Sequence, residues 1–256
     1  GTALLYSFSP ENSTSKQYSF PIDAGPVHYR FLSDWWQDEE DCWWLATVRG
    51  LFRFNPETED WQHFSDSDLP GKSLSNNMTL SVCPDPANPE DYIWIGTEGG
   101  GLNRLNRNSG KTDHFTTENG LPNDVIYGIQ SDHRGNLWLS TNLGLSLFDP
   151  QSFEVRNFAE ADGLNGNEFN RYQYSKAADG TMYFGGIKGV TVFHPEDLYS
   201  DSLIAEVVIN GLKILNKKVE YSRVKNDESH AKFILQAPLE RLEELVFDYD
   251  VGMISL

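Results

Sequence analysis

The side chains in this sequence that could do chemistry fall into three groups: clustered carboxylates, scattered histidines and thiols, and short polar runs beside glycine-rich turns. Glu39, Glu40 and Asp41 could serve as an acid and base pair of the kind that cleaves glycosidic bonds. With 38 acidic residues in the chain, a solvated turn is the simpler reading of that triplet. The six histidines show no metal-ligand spacing, and His-Glu-x-x-His is absent. Asp132 to Asn136 starts like a calcium loop, lacks the later acidic ligands, and reads instead as a tight hairpin turn. Gly110-Lys111-Thr112 resembles the end of a phosphate loop, but Leu105 stands where that loop needs glycine. Ser146 is no nucleophile elbow, because Phe148 replaces the closing glycine. Cys42 and Cys83 are expected as two buried free thiols. The expectation is therefore no catalytic residue, no metal and no cofactor.

Recognition chemistry is better represented. Glu98, Asn123, Asp124, Asn142 and Lys188 stand in or beside turns, and Asn167, Glu168, Asn170, Arg171 and Tyr172 form one cluster. Amides, carboxylates, arginine and aromatic rings together suit a sugar, whose hydroxyls take paired hydrogen bonds and whose C–H face stacks on rings. Trp35 and Trp36 join the candidates as aromatics outside the repeating positions described next. Each has a structural alternative. Asn and Asp form turns, the 167–170 cluster could tie neighbouring elements together, and Arg171 could pair with Glu168.

The elements that must position these residues come from an internal repeat. Trp44, Trp94, Trp138 and Tyr183 each open a similar stretch, spaced 50, 44 and 45 residues apart. Each stretch runs through a glycine (Gly50, Gly101, Gly144, Gly189) to a Phe-x-Pro or similar ending. A partial copy at Leu5 to Pro10 opens the chain. That period is one four-stranded propeller blade. In one blade, Val125–Ser131, Leu137–Thr141, Leu145–Phe148 and Phe153–Phe158 are expected as successive strands, the first innermost. No outer strand is expected after Phe193. The pattern then changes: 203–215 reads as one or two strands, and Leu245, Phe247, Tyr249 and Val251 alternate with Val246, Asp248 and Asp250 as a half-buried strand. The fold class is all-β: propeller repeats over 1–200, and the start of a second β unit over 201–256.

The formal charge of −18 would repel phosphate backbones and anionic membranes, so nucleic acid is not an expected partner. No run of about 18 apolar residues occurs.

Asn136-Leu137-Trp138-Leu139-Ser140-Thr141, with Gly144-Leu145, Phe148-Asp149-Pro150 and Asn119-Gly120-Leu121-Pro122, resembles the two-component regulator propeller family. The terminal repeat, from Asp162-Gly163-Leu164 through Asn167-Glu168-Phe169-Asn170 to Phe193-His194-Pro195, carries the same likeness. Val207 to Val219 with Leu245 to Leu256 resembles the start of the immunoglobulin-like three-tyrosine (YYY) sandwich that follows such propellers. The resemblance implies seven or more blades, of which about four and a fraction lie here, the others being expected upstream or in a second chain. It also implies periplasmic placement, a homodimer through the sandwich, a membrane tether, and control of a histidine kinase or other output domain. The expected function is sensing of a small-molecule ligand, an oligosaccharide or related nutrient. A propeller-type lyase or glycosidase, and a protein-interaction scaffold, are the alternatives.

Overall fold

The computed structural model describes residues 2–23, 32–67 and 71–199, with strand pieces at 213–214, 217–218 and 254–255. The chain divides into two compact units, residues 1–200 and 201–256. The expected sandwich falls almost wholly outside the described residues.

The first unit is a run of antiparallel meanders. A hairpin of β1 (Thr2–Ser9) and β2 (Thr14–Asp23) precedes three four-stranded sheets. The first blade is β3 (Leu32–Gln37), β4 (Trp43–Thr47), β5 (Gly50–Phe54) and β6 (Trp61–Phe64). The second is β7 (Thr79–Pro84), β8 (Tyr92–Thr97), β9 (Leu102–Asn106) and β10 (Thr112–Phe115). The third is β11 (Ile126–Ser131), β12 (Leu137–Thr141), β13 (Gly144–Phe148) and β14 (Val155–Phe158). The fourth has three strands, β15 (Phe169–Lys176), β16 (Met182–Gly186) and β17 (Gly189–Phe193), and then a helix, α1 (Pro195–Tyr199). The opening strands β3, β7, β11 and β15 lie side by side, as strands around a propeller axis must. Apart from α1, helix among the described residues is confined to single 3₁₀ turns at Thr117–Asn119 and Glu160–Asp162.

The middle strands are apolar on both faces because each blade is covered on both sides. Trp44 and Leu51 meet Val82, Ile93 and Leu105 in the first seam. Trp94 and Leu102 meet Ile129, Leu139 and Phe148 in the second, and Trp138 and Leu145 meet Met182 and Phe184 in the third. Burying each such side chain contributes about 1.5–3 kcal/mol. Gly101 and Gly144 hold φ of 75° and 98°, and a Cβ there would lie 2.1 and 2.2 Å from the carbonyl oxygens of Phe115 and Phe158. Only glycine fits that approach of turn to outer strand.

A buried aspartate repeats with each tryptophan. Asp38, Asp85 and Asp132 accept the indole N–H of Trp44, Trp94 and Trp138 at 2.9, 2.9 and 3.1 Å. The other oxygen of each accepts two backbone N–H groups of its own turn, for example Arg134 and Asn136 at 2.9 Å on Asp132. A buried carboxylate needs neutralising partners. In the first two blades arginines supply them: Arg53 and Arg107 on Asp38, and Arg104 at 3.5 Å on Asp85. The third blade has Leu147 at the register position of Arg53 and Arg104. There Tyr199 of α1 donates its hydroxyl to Asp132 at 2.6 Å, while Arg134 covers its ring and pairs with Glu196 at 3.0 Å. The fourth blade has neither partner, with Tyr183 for the tryptophan and Ala177 for the aspartate.

Cys42 and Cys83 are free and buried. At the ends of the unit, Tyr6 and Phe8 on β1, and Ile187, Val190 and Val192 on or beside the last two strands, remain more than half exposed.

Candidate ligand face

In a meander, successive turns alternate between the two ends of the sheet. One end of the unit therefore collects the interblade loops and the second-to-third-strand turns, which hold most of the sequence candidates.

Three of those candidates are engaged in holding the loops. Asp124 accepts Thr117 N–H at 2.7 Å, and its carbonyl accepts Gly101 N–H at 2.8 Å. Asn167 repeats this one blade later, accepting Glu160 N–H at 2.8 Å while its carbonyl accepts Gly144 N–H at 2.6 Å. Asn77, not singled out from sequence, does the same with Asp66 N–H and Gly50 N–H. Asn123 caps its own turn through Val125 N–H at 2.8 Å, as Asn76 does through Met78 N–H. Repetition at equivalent positions marks these as blade staples. Lys188 is exposed and paired with Glu160.

The remainder centre on an irregular inner strand. In β11, Ile126 pairs with Thr141 and Gly128 with Ser140, so Tyr127 is a one-residue bulge; β3 and β7 have the same offset. In β15 the offset is larger. Phe169 pairs with Gly186 and Tyr174 with Phe184, leaving 170–173 opposite Gly185 alone. Tyr172 sits there at φ 62°, a conformation a non-glycine residue holds only when its surroundings fix it. The bulge carries Arg171 to Glu98, with which it forms an ion pair. The sequence reading had offered Glu168 as the partner. The bulge instead turns Arg171 toward the second blade, 73 residues back. Glu98 is fixed from behind, its N–H donating to the Met78 carbonyl at 2.9 Å and its carbonyl accepting the Asn76 amide at 2.8 Å. Its Oε2 is buried and has no hydrogen-bond partner among the described residues. Asn142 accepts the Tyr127 hydroxyl at 2.7 Å, and Asn170 donates to Gln173 at 3.2 Å. Glu168 is exposed, and its carbonyl accepts Ile187 N–H.

Trp35 and Trp36 do not join this face. Neighbours in a strand point to opposite sides. Trp35 lies 57% exposed beside Leu5, Tyr6 and Trp43, whereas Trp36 packs into the first seam under the Arg107 guanidinium, 5.4 Å from its ring centre. Trp36 pairs with Trp44 near the 38–42 turn, the other end of the blade.

Deeper along the axis, Asp34 of β3 accepts Val82 N–H at 2.9 Å and the Tyr174 hydroxyl at 2.7 Å. Burial raises the Asp34 pKa above the usual carboxylate value, although its three hydrogen bonds oppose that shift. Tyr174 is likewise raised, chiefly by burial and then by the Asp34 charge.

Comparison with known proteins agrees with this architecture. Residues 120–143 match the two-component regulator propeller family. A 266-residue alignment with histidine kinase P4 of Formosa agariphila is 29% identical, covering 84% of this chain and 19% of the kinase. The extracellular domain of BT4673 from B. thetaiotaomicron superposes twice. One structure, described as a one component system, gives TM-score 0.58 at 25% identity over 73% of this chain and 26% of that one. The other, described as a hybrid two component system, gives TM-score 0.60 at 24% identity over 76% and 27%. The chain thus spans about a fifth of the kinase and about a quarter of the extracellular domain it matches.

Proposed function

Starting from a chain that carries the two-component regulator propeller repeat, we propose that it is the extracytoplasmic ligand-sensing part of a signal-transduction receptor. The ligand is an oligosaccharide or related nutrient, and the chain itself performs no catalysis. The observation that carries this reading is the Glu98–Arg171 pair, which joins the second and fourth blades through a bulge on the fourth inner strand that is wider than those on the other three.

The pair is half-exposed, with side-chain accessibilities of 37% for Arg171 and 31% for Glu98. A guanidinium presents a rigid fork of donors, and the Glu98 carboxylate paired with it balances its charge. Tyr172 beside them supplies a ring held in one backbone conformation. A neutral sugar fits such a charge-balanced pair, whereas an anionic ligand would face a chain of net charge −18.

Because the pair belongs to two blades, a ligand seated on it favours whichever blade arrangement places both groups correctly. Signalling requires differential affinity for two states, about 5.5 kcal/mol for a complete switch. The receptor would be periplasmic and membrane-tethered, act as a homodimer, and pass the bias to a kinase or other output domain. Screening the chain against an array of neutral and acidic glycans tests the ligand class. Binding confined to neutral oligosaccharides supports it; silence across the array, or turnover of any glycan, contradicts it.

A further inference from the structure

A cleft of about 360 Å³ opens at the seam of the first and second blades, lined by Trp36, Arg53, Gln62, Glu90, Arg107 and Asn108. It belongs to the end of the blades that carries the first-to-second-strand turns, opposite the Glu98–Arg171 face. We propose that this cleft is a second binding site, for a neutral saccharide of one or two sugar units.

Comparison of the repeats shows how the chain builds the cleft. Gly110 and Phe153 are equivalent: each donates its N–H to the residue four before it, Asn106 or Asp149, and each has positive φ, 70° and 62°. The Phe153 ring, 41% exposed, covers the mouth of its seam, lying 5.0 Å from Phe115, 6.2 Å from Phe148 and 5.9 Å from the Arg104 guanidinium. At Gly110 no ring is present. A Cβ there would meet only Phe64 at 3.9 Å and Lys72 at 4.0 Å. The first seam is therefore open where the second is covered.

The lining selects the ligand. Arg107 is held between Trp36 and Trp44, 5.4 Å from each ring, and binds Asp38 and the Pro89 carbonyl at 2.5 Å. Arg53 binds Glu40 at 2.6 Å and lies 3.7 Å from Asp38. Both cations already have carboxylate partners, and Glu39, Glu40 and Glu90 line the same cleft, so an anionic ligand would meet neutralised guanidinium groups among carboxylates. A polyol carries no charge to be repelled. It can bond to the remaining guanidinium protons, the Gln62 and Asn108 amides and the Glu90 carboxylate, of which the two guanidinium groups and Asn108, bonded to Asp91 at 3.1 Å, are held before the ligand arrives. A volume near 360 Å³ lies in the range of small-molecule sites.

Calorimetric titration of the chain with maltose, cellobiose and laminaribiose, with cellobiouronic acid as the anionic comparison, tests this. At least one neutral disaccharide is expected to bind. The joint change Gln62→Ala and Asn108→Ala should weaken it about ten-fold or more, roughly one or two lost hydrogen bonds. Gly110→Phe should abolish it by covering the seam as Phe153 does. Binding in the cleft is read in an Arg171→Ala background, where the Glu98–Arg171 face is silenced, and it should persist there. The Gln62/Asn108 variant alters surface amides, so its folding, checked by thermal midpoint, keeps the test meaningful if Gly110→Phe misfolds. No binding of any neutral disaccharide at millimolar concentration overturns the proposal. So does tighter binding of the uronic acid, or binding lost with Arg171→Ala and kept in the cleft variants; that last result would leave the Glu98–Arg171 reading standing.

Discussion

Tyr174 reaches across the third blade to donate its hydroxyl to Asp34 of the first at 2.7 Å. The path exists because Gly128 lies between them: a Cβ there would be 2.2 Å from the Tyr174 ring. Asp34 also takes Val82 N–H, so one carboxylate joins inner strands of three blades.

Tyr174→Phe should therefore cost about 1.5–3 kcal/mol, the range for a hydrogen bond to a charged group. Gly128→Ala should cost about 1–3 kcal/mol by overpacking against the ring. Urea denaturation followed by tryptophan fluorescence measures both. The pH dependence has a definite sign. The folded Asp34 pKa lies above the unfolded value near 3.8, so the native state binds the extra proton. This group's contribution is fully present below the unfolded pKa and is lost as pH rises through the folded one. Removing the Tyr174 hydroxyl takes away a bond that favours the carboxylate and should move that loss to higher pH.

The aspartate–tryptophan pairs make a second prediction. Asp38→Ala strands the Trp44 indole N–H and leaves Arg107, whose side chain is 10% exposed, without its carboxylate. Breaking a buried pair from one side costs about 3–5 kcal/mol. The same change at Ala177's blade has no counterpart, since no such carboxylate exists there. A fall in the urea midpoint for Asp38→Ala far beyond that for an exposed acid such as Glu39→Ala is the expected result.

Helix α1 should respond to one atom. Tyr199→Phe removes the donor to Asp132, to which the Asn136 amide is also linked through the same hydroxyl at 2.6 Å. A loss of about 1–3 kcal/mol is expected, with faster amide exchange over 195–199 as its local signature.

Burial pushes the Cys83 thiol up to about 12, and raises Cys42 as well. The thiolate is the reactive form. Neither cysteine should react with iodoacetamide at pH 7.5 in the folded chain, and both should react in guanidinium. Rapid native labelling would contradict their placement.

The repeat made the propeller legible, because Trp94, Trp138 and their following glycines recur at blade spacing and are buried as that spacing requires. The Asp38, Asp85 and Asp132 partners were equally periodic, yet are easily hidden among 38 acids. The ligand face was less legible. Asp124 and Asn167 carry the residue types of a sugar site but serve as staples, and turn chemistry and sugar chemistry use the same atoms. Arg171 and Glu98 were both visible as candidates; their pairing was not, since only the bulge at 170–173 brings them together. A bulge changes register without leaving a mark in residue composition.

The most direct test of the account is calorimetry with the best-binding neutral oligosaccharide from the array, comparing the native chain with Arg171→Ala and Glu98→Gln. The account predicts saturable binding at one site on this face that falls about 100-fold or more with Arg171→Ala, near 2.7 kcal/mol. Unchanged affinity in both variants, with the fold intact, would contradict it.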